Sequence, residues 1–186
     1  NFLEVPLIFA CLWPRSMAGL VKQETWDNPV LGALAELWEA IPIDRAGTDL
    51  QAMRRSLDAL SEGRILLVAP EGTRSGHGRL QKGHGGVIQL AARSGAPLVP
   101  LAHWGGESFW DNLRKPRRTA FHIRVGEAFA LDLEGQALGR SVRERATEEV
   151  MRRIAALLPE SYRGVYSGPP AEPERHIRPL GLALGS

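Results

Sequence analysis

A chain of 186 residues, 44% hydrophobic and 24% charged, is long enough for one domain with a sizeable core and has an ordinary globular composition. Its net charge of +2 leaves no electrostatic footprint for a nucleic-acid partner, and the single Cys11 cannot close an internal disulfide, which fits a reducing compartment. The best candidate for a membrane span, Val5 to Trp13, contains Pro6 and falls far short of the ~20 residues such a helix needs.

In chain order, Leu3 to Leu12 reads as a helix with Glu4 near its start, where the helix dipole favours a negative charge. Cys11 in this run reads as a small buried side chain. Leu20-Val21 is a short strand. Asp27-Asn28-Pro29 starts a helix, with a cap residue followed by proline at the first helical position, and Val30, Leu31, Leu34, Leu37 and Trp38 mark one face of it. Ile41-Pro42-Ile43 is a brief strand. Leu50, Met53, Leu57 and Leu60 recur at helical spacing until Gly63 stops them. Ile65 to Val68 is an apolar run that reads as the central strand. Val87 to Arg93 forms a helix ended by Gly95, and Leu98 to Ala102 is the next strand. Phe121, Ile123 and Val125 alternate with His122 and Arg124, as on a half-buried strand. Val142, Ala146, Val150, Ile154 and Leu157 give a long amphipathic helix.

This alternation predicts an α/β fold: a single domain over residues 1–158 with a central, largely parallel sheet flanked by helices. Residues 159–186 are rich in proline, glycine and charge and read as a mobile C-terminal tail.

The most informative stretch is Ala69-Pro70-Glu71-Gly72-Thr73-Arg74-Ser75. The strand before it empties into a loop that carries a turn glycine, a hydroxyl and a guanidinium. Open α/β sheets bind ligands at the carboxyl ends of their strands. Arg74 offers a planar fork of donors suited to phosphate, and Gly72 lets backbone N–H groups come close. The chemistry is that of an anion site for a phosphate ester.

The same residues carry a family resemblance. Pro70-Glu71-Gly72-Thr73-Arg74-Ser75 resembles the third signature block of the glycerolipid acyltransferases. Gly19-Leu20-Val21-Lys22-Gln23-Glu24, followed by Ala40-Ile41-Pro42-Ile43-Asp44-Arg45, is similar to the second block. Leu98-Val99-Pro100-Leu101-Ala102 resembles the fourth. Asn1-Phe2-Leu3-Glu4-Val5-Pro6 is similar to the tail of the first, which in the family reads His, four residues, then Asp. The blocks occur in the family's order, and the resemblance runs from Asn1 to about Trp104 and more weakly to Tyr166.

Aligned on Glu4, the family's histidine would stand two residues ahead of Asn1. The sequence, which also lacks an initiator methionine, therefore reads as a truncated fragment with little acyl-transfer activity of its own.

The resemblance implies acyl transfer from a thioester, acyl-CoA or acyl carrier protein, to the free hydroxyl of 1-acyl-glycerol 3-phosphate, forming phosphatidic acid. The first-block histidine would be the general base. Glu4, a glutamate where the family usually has aspartate, would hold its imidazole. Thr73, Arg74 and Gly72 would hold the phosphate, with Arg45 and Lys82 as further contacts. Glu71 would either anchor its loop through backbone amides or bind substrate hydroxyls. Pro100 would shape the strand end and the acyl pocket.

No metal and no cofactor beyond the thioester co-substrate is implied. The alternatives are another acceptor, such as glycerol 3-phosphate or a lyso-aminolipid, and a non-catalytic lipid-phosphate binding protein. The implied location is the cytoplasmic face of a membrane, peripheral or anchored by a segment ahead of Asn1.

Other features have plainer readings. Gly76 to Gly86 lacks the Gly-Lys-Ser/Thr ending of a P-loop and reads as a flexible segment beside the site. His77 and His84 within it are solvated loop histidines or alternative bases. His103, His122 and His176 show no metal-ligand spacing. Arg114-Lys115-Pro116-Arg117-Arg118, preceded by Phe109 and Trp110, reads equally as a solvated loop or as a contact for anionic lipid headgroups.

Overall fold

A computed structural model describes residues 4–44, 49–72, 78–115, 117–170 and 172–181. The chain opens with α1 (Glu4–Leu12), which a turn reverses into β1 (Met17–Lys22). A short 3-10 turn, Gln23–Asp27, leads to α2 (Pro29–Leu37). The Asn28 side chain accepts the N–H groups of Val30 and Leu31 at 3.0 and 3.1 Å, so the expected cap and first-turn proline both form. β2 (Ile41–Ile43) and α3 (Leu50–Ser61) follow. Asp49 caps α3 by accepting from Ala52 N at 2.8 Å, and its other carboxylate oxygen accepts from Asp44 N at 3.0 Å. One carboxylate thus ties the start of α3 to the residue just past β2. These bonds, from Ala52 first and Asp44 second, hold its carboxyl below the ordinary aspartate range.

β3 (Ile65–Leu67) completes a three-stranded parallel sheet in the order β2-β1-β3. Its register sets Leu20 opposite Ile41 and Met17 opposite Ile65. Ala18, Ile41, Ala52 and Ala59 are buried where α3 packs on this sheet. Small side chains at these positions let the helix lie close.

After α4 (Gly86–Ser94), closed by Gly95, the remaining strands pair antiparallel. β4 (Leu101–Trp104) pairs with β5 (His122–Val125), with α5 (Phe109–Arg114) between them. β6 (Phe129–Leu131) pairs with β7 (Ile177–Pro179), and the long α6 (Arg140–Leu157) separates those two in the chain. The main core joins Val87 and Ile88 of α4, Phe129 of β6, Ala146 and Val150 of α6, and Ile177 of β7.

Five expectations are corrected here. The central strand of the parallel sheet is β1, which pairs with both neighbours, and β3, expected in the middle, lies at the end of the order. The described residues after Pro159 are no free tail. Two 3-10 turns, Glu160–Tyr162 and Gly164–Tyr166, and then β7 pack back on the domain, with Tyr166, His176 and Ile177 each less than 10% exposed. Composition misled because a few apolar anchors suffice to order a polar segment. On α2 the bulky face points inward only in part: Leu31, Leu34 and Trp38 are half-buried. Gly32 and Ala35 are buried, while Val30 and Leu37 are 67% and 74% exposed. The Trp26 backbone and ring crowd the Gly32 side, so a small residue is needed there. The strand expected at Leu98 begins at Leu101, because prolines at 97 and 100 cannot donate to a ladder. Leu98 instead bridges Phe129. Cys11 is exposed; the buried side chain of α1 is Ile8.

Candidate active site

Because β1, β2 and β3 run parallel, their carboxyl ends share one edge of the sheet. That edge receives Lys22, the Ile43-Asp44 step and the loop that leaves β3 through Ala69. Two blocks far apart in sequence meet there, as the strand-end argument requires. Arg45, Thr73, Arg74, Ser75 and His77 lie outside the described residues, and so does Pro116.

α1 is joined to the amino end of β1 by the short turn that follows Leu12. The Phe9 ring lies against Gly19, 3.9 Å from where a Cβ would be, and stacks at 5.5 Å on Trp38. Glu4 is five residues earlier, about 7.5 Å along a helix that rises ~1.5 Å per residue.

The turn after β3 is built tightly. Gly72 N donates to Ala69 O at 3.0 Å, and Gly72 has φ +64°. A Cβ there would stand 3.2 Å from the His84 ring, so backbone and space both call for glycine. His84 N donates to Pro70 O at 2.8 Å. Glu71, half-buried, accepts Gln81 N at 2.9 Å through Oε2, so the anchoring reading of Glu71 has its bond. Lys82, exposed, follows directly. Pro100 sits just before β4, buried, and its carbonyl accepts Gly126 N at 2.9 Å.

An apolar cleft of about 350 Å³ opens one helical turn from Glu4. Leu7, Gly106, Phe109, Leu113, Thr119 and Phe121 line it, with Arg117; Pro100 is not in its lining. The loop beneath it is closed by Asn112, whose carbonyl accepts Arg117 N at 2.9 Å and whose amide donates to Thr119 Oγ1 at 3.0 Å. Arg114, Lys115, Arg117 and Arg118 are all exposed. Among the described residues no helix is long and apolar enough to cross a membrane.

Sequence reasoning missed the contact of the C-terminal segment with this site. Leu80 N donates to Tyr162 O at 3.0 Å, Val165 N to Leu80 O at 3.3 Å and Gly83 N to Tyr166 Oη at 3.0 Å. A signal was present: the chain's two tyrosines stand four apart inside an otherwise polar stretch.

A parallel sheet flanked by helices, with a tight Pro-Glu-Gly turn at its carboxyl edge, defines an α/β domain. Residues 6–104, slightly over half of the chain, match the Acyltransferase family, and the chain belongs to that family. It is 34% identical over 121 residues to a 1-acyl-sn-glycerol-3-phosphate acyltransferase of Limnanthes alba, covering 62% of this chain and 41% of that protein. To the protein of the same name from Pseudomonas aeruginosa it is 27% identical over 147 residues, covering 77% and 57%.

The crystal structure of the 1-acyl-sn-glycerophosphate (LPA) acyltransferase PlsC from Thermotoga maritima superposes with a TM-score of 0.57 at 21% identity, over 84% of this chain and 61% of that one. That likeness bears on the fold alone. The chain spans about two-fifths to three-fifths of the length of these proteins.

Proposed function

We propose that the protein transfers a fatty acyl group from a thioester, acyl-CoA or acyl carrier protein, to the free hydroxyl of 1-acyl-glycerol 3-phosphate, giving phosphatidic acid. The observation that carries this reading is the shared carboxyl edge of the parallel sheet, at which Asp44 and the loop holding the Glu71-Gly72 turn follow their strands. The names of the relatives agree with it.

In this mechanism a histidine two residues ahead of Asn1 takes the hydroxyl proton. Glu4 holds its imidazole in the useful tautomer, and the alkoxide attacks the thioester carbonyl directly. The thiolate leaves and recovers the proton from the imidazolium. Arg74, Thr73 and the Gly72 backbone hold the acceptor's phosphate, with Arg45 and Lys82 adding charge. Fixing the phosphate fixes the hydroxyl beside the base, an orientation effect that can supply a large part of the rate. The apolar cleft beside Leu7 and Phe121 suits an acyl chain.

Arg74→Ala tests the phosphate assignment, in a protein that includes the upstream histidine. Charge-assisted hydrogen bonds are worth about 1.5–3 kcal/mol each, and tenfold in affinity is ~1.4 kcal/mol. The acceptor KM is therefore expected to rise at least tenfold, with the donor KM and the thermal midpoint little changed. Arg74→Lys restores only part, because a point charge lacks the fork. Equal damage to donor and acceptor kinetics would remove Arg74 from the phosphate site. The residue two positions ahead of Asn1 separates the enzyme from a non-catalytic lipid-phosphate binder: histidine supports the first, any other residue the second.

We further propose that the protein works peripherally on the cytoplasmic face of a membrane, through the exposed Arg114, Lys115, Arg117 and Arg118. Each basic residue near an anionic surface contributes up to ~1 kcal/mol. Co-sedimentation with anionic vesicles is expected to exceed that with neutral ones and to weaken with salt. Equal binding to both vesicle types would take the basic cluster out of the account.

A further inference from the structure

Lys82 lies in a loop with no regular secondary structure, yet the peptide groups around it are bonded almost continuously. Leu80 N donates to Tyr162 O and His84 N to Pro70 O. Of the two residues flanking Lys82, Gln81 donates to Glu71 Oε2 at 2.9 Å and Gly83 to Tyr166 Oη at 3.0 Å. One flanking peptide is therefore held by the signature turn and the other by the C-terminal segment.

That second hold is well built. Tyr166 is 5% exposed and packs with Met151 and Ala155 of α6, and Leu80 packs against the same group. The Arg152 guanidinium lies 5.8 Å from its ring. Burial is the first cause that raises the Tyr166 phenol above its ordinary value, so the hydroxyl stays neutral. At Gly83 a Cβ would stand 2.6 Å from Met151 Cγ, and at Gly164 (φ +53°) 2.0 Å from Leu80 O. The two segments approach more closely than any side chain at these points would permit.

We infer that Tyr166 is a positioning residue for the acceptor site: its hydroxyl fixes the Lys82-Gly83 peptide and thereby sets Lys82 and His84 against the Glu71-Gly72 turn. The residue lies beyond the stretch 6–104 that matches the family. The role in acceptor binding rests on the proposed acyl transfer; the hold on the loop does not. Glu71 and Tyr166 act on Lys82 as a pair, one on each side, so loss of either loosens the same side chain. A cation that must meet a phosphate loses binding when its loop samples other positions, because that ordering cost falls on the binding step.

Tyr166→Phe is the test, since it keeps the ring and deletes only the acceptor of Gly83 N. Two readouts are needed. Hydrogen exchange of the chain is expected to quicken at least about fivefold at Gln81 to His84, the size of one lost hydrogen bond, while α4 and α6 keep their wild-type protection. In a protein that includes the upstream histidine, the acceptor KM is expected to rise about fivefold or more by the same measure, with kcat and the donor KM unchanged.

Unchanged exchange in the loop would overturn the inference. So would exchange that quickens evenly through α4 and α6, which would make Tyr166 an ordinary core residue. Local loosening with acceptor and donor KM altered alike would also overturn it. A wild-type protein that transfers no acyl group from any thioester counts against the proposed reaction; the exchange data still decide whether Tyr166 holds the loop.

Discussion

Replacing Glu149 with alanine is expected to cost about 3–5 kcal/mol of folding stability, because it strips several poorly exposed nitrogen groups of the carboxylate they bond. Glu149 and His176 are 8% and 6% exposed. The Glu149 carboxylate accepts Arg175 N at 3.1 Å and His176 N at 2.9 Å, and it meets His176 Nδ1 at 2.7 Å. These contacts bind the entry to β7 onto α6. Alanine would leave two backbone donors and a ring nitrogen without their partner, and each such loss costs roughly 1–3 kcal/mol when buried.

At about 2–4 °C per kcal/mol for a domain of this size, Tm should fall by roughly 10 °C. Glu149→Gln keeps the volume and one good acceptor, so a smaller loss is expected. The segment around Glu174 should also become the preferred site of limited proteolysis. Its neighbouring ion pair, Arg153 with Glu174, is partly exposed and too weak alone to hold the strand. A variant with wild-type Tm and protease resistance would show that burial of Ile177 alone secures β7.

This lock explains why the C-terminal region was illegible in the sequence. Tyr166 and the adjacent pair His176-Ile177 are isolated anchors separated by a stretch rich in Pro, Gly and charged residues, and no periodicity of 2 or 3.6 links them. What orders them is the partner surface on α6 and the 78–85 loop, which a linear reading does not supply. Elements with local signals were legible. Asn28-Pro29 formed the expected cap, Ile41-Pro42-Ile43 the expected strand, and Gly95 (φ +66°) the expected helix stop.

α2 shows the opposite failure. Its large residues repeat at helical spacing, but Trp26 crowds the Gly32 side, so a small residue is needed there and the bulky face points inward only in part. For the candidate site, the strand-to-loop step at Ala69 was legible because a buried run must end somewhere. That Glu71 would bond Gln81 N was only one of two open readings, since the fold of the loop ten residues on decides it.

The proposed mechanism places the remaining weight on Glu4. Glu4→Gln, in a protein that carries a histidine two residues ahead of Asn1, is expected to lower kcat by about 10²- to 10⁴-fold, the span associated with a general base. Glutamine keeps the volume but no longer stabilises the imidazolium, and its amide group permits the wrong tautomer. At 1.36 kcal/mol per decade this is about 2.7–5.5 kcal/mol of activation free energy.

The folded state should barely respond. Glu4 is the first residue of α1, and a charge there contributes typically 0.3–1 kcal/mol through the helix dipole. The two magnitudes separate the catalytic role from a structural one. Both KM values should hold, since the residue acts on the base and not on either substrate. Glu4→Asp, which restores the acid more usual in the family, should stay within about tenfold of wild type. A Glu4→Gln enzyme with near-normal kcat would show that the acid at the head of α1 does not serve the base. A loss of kcat matched by a collapse of Tm would make Glu4 a helix-start residue only.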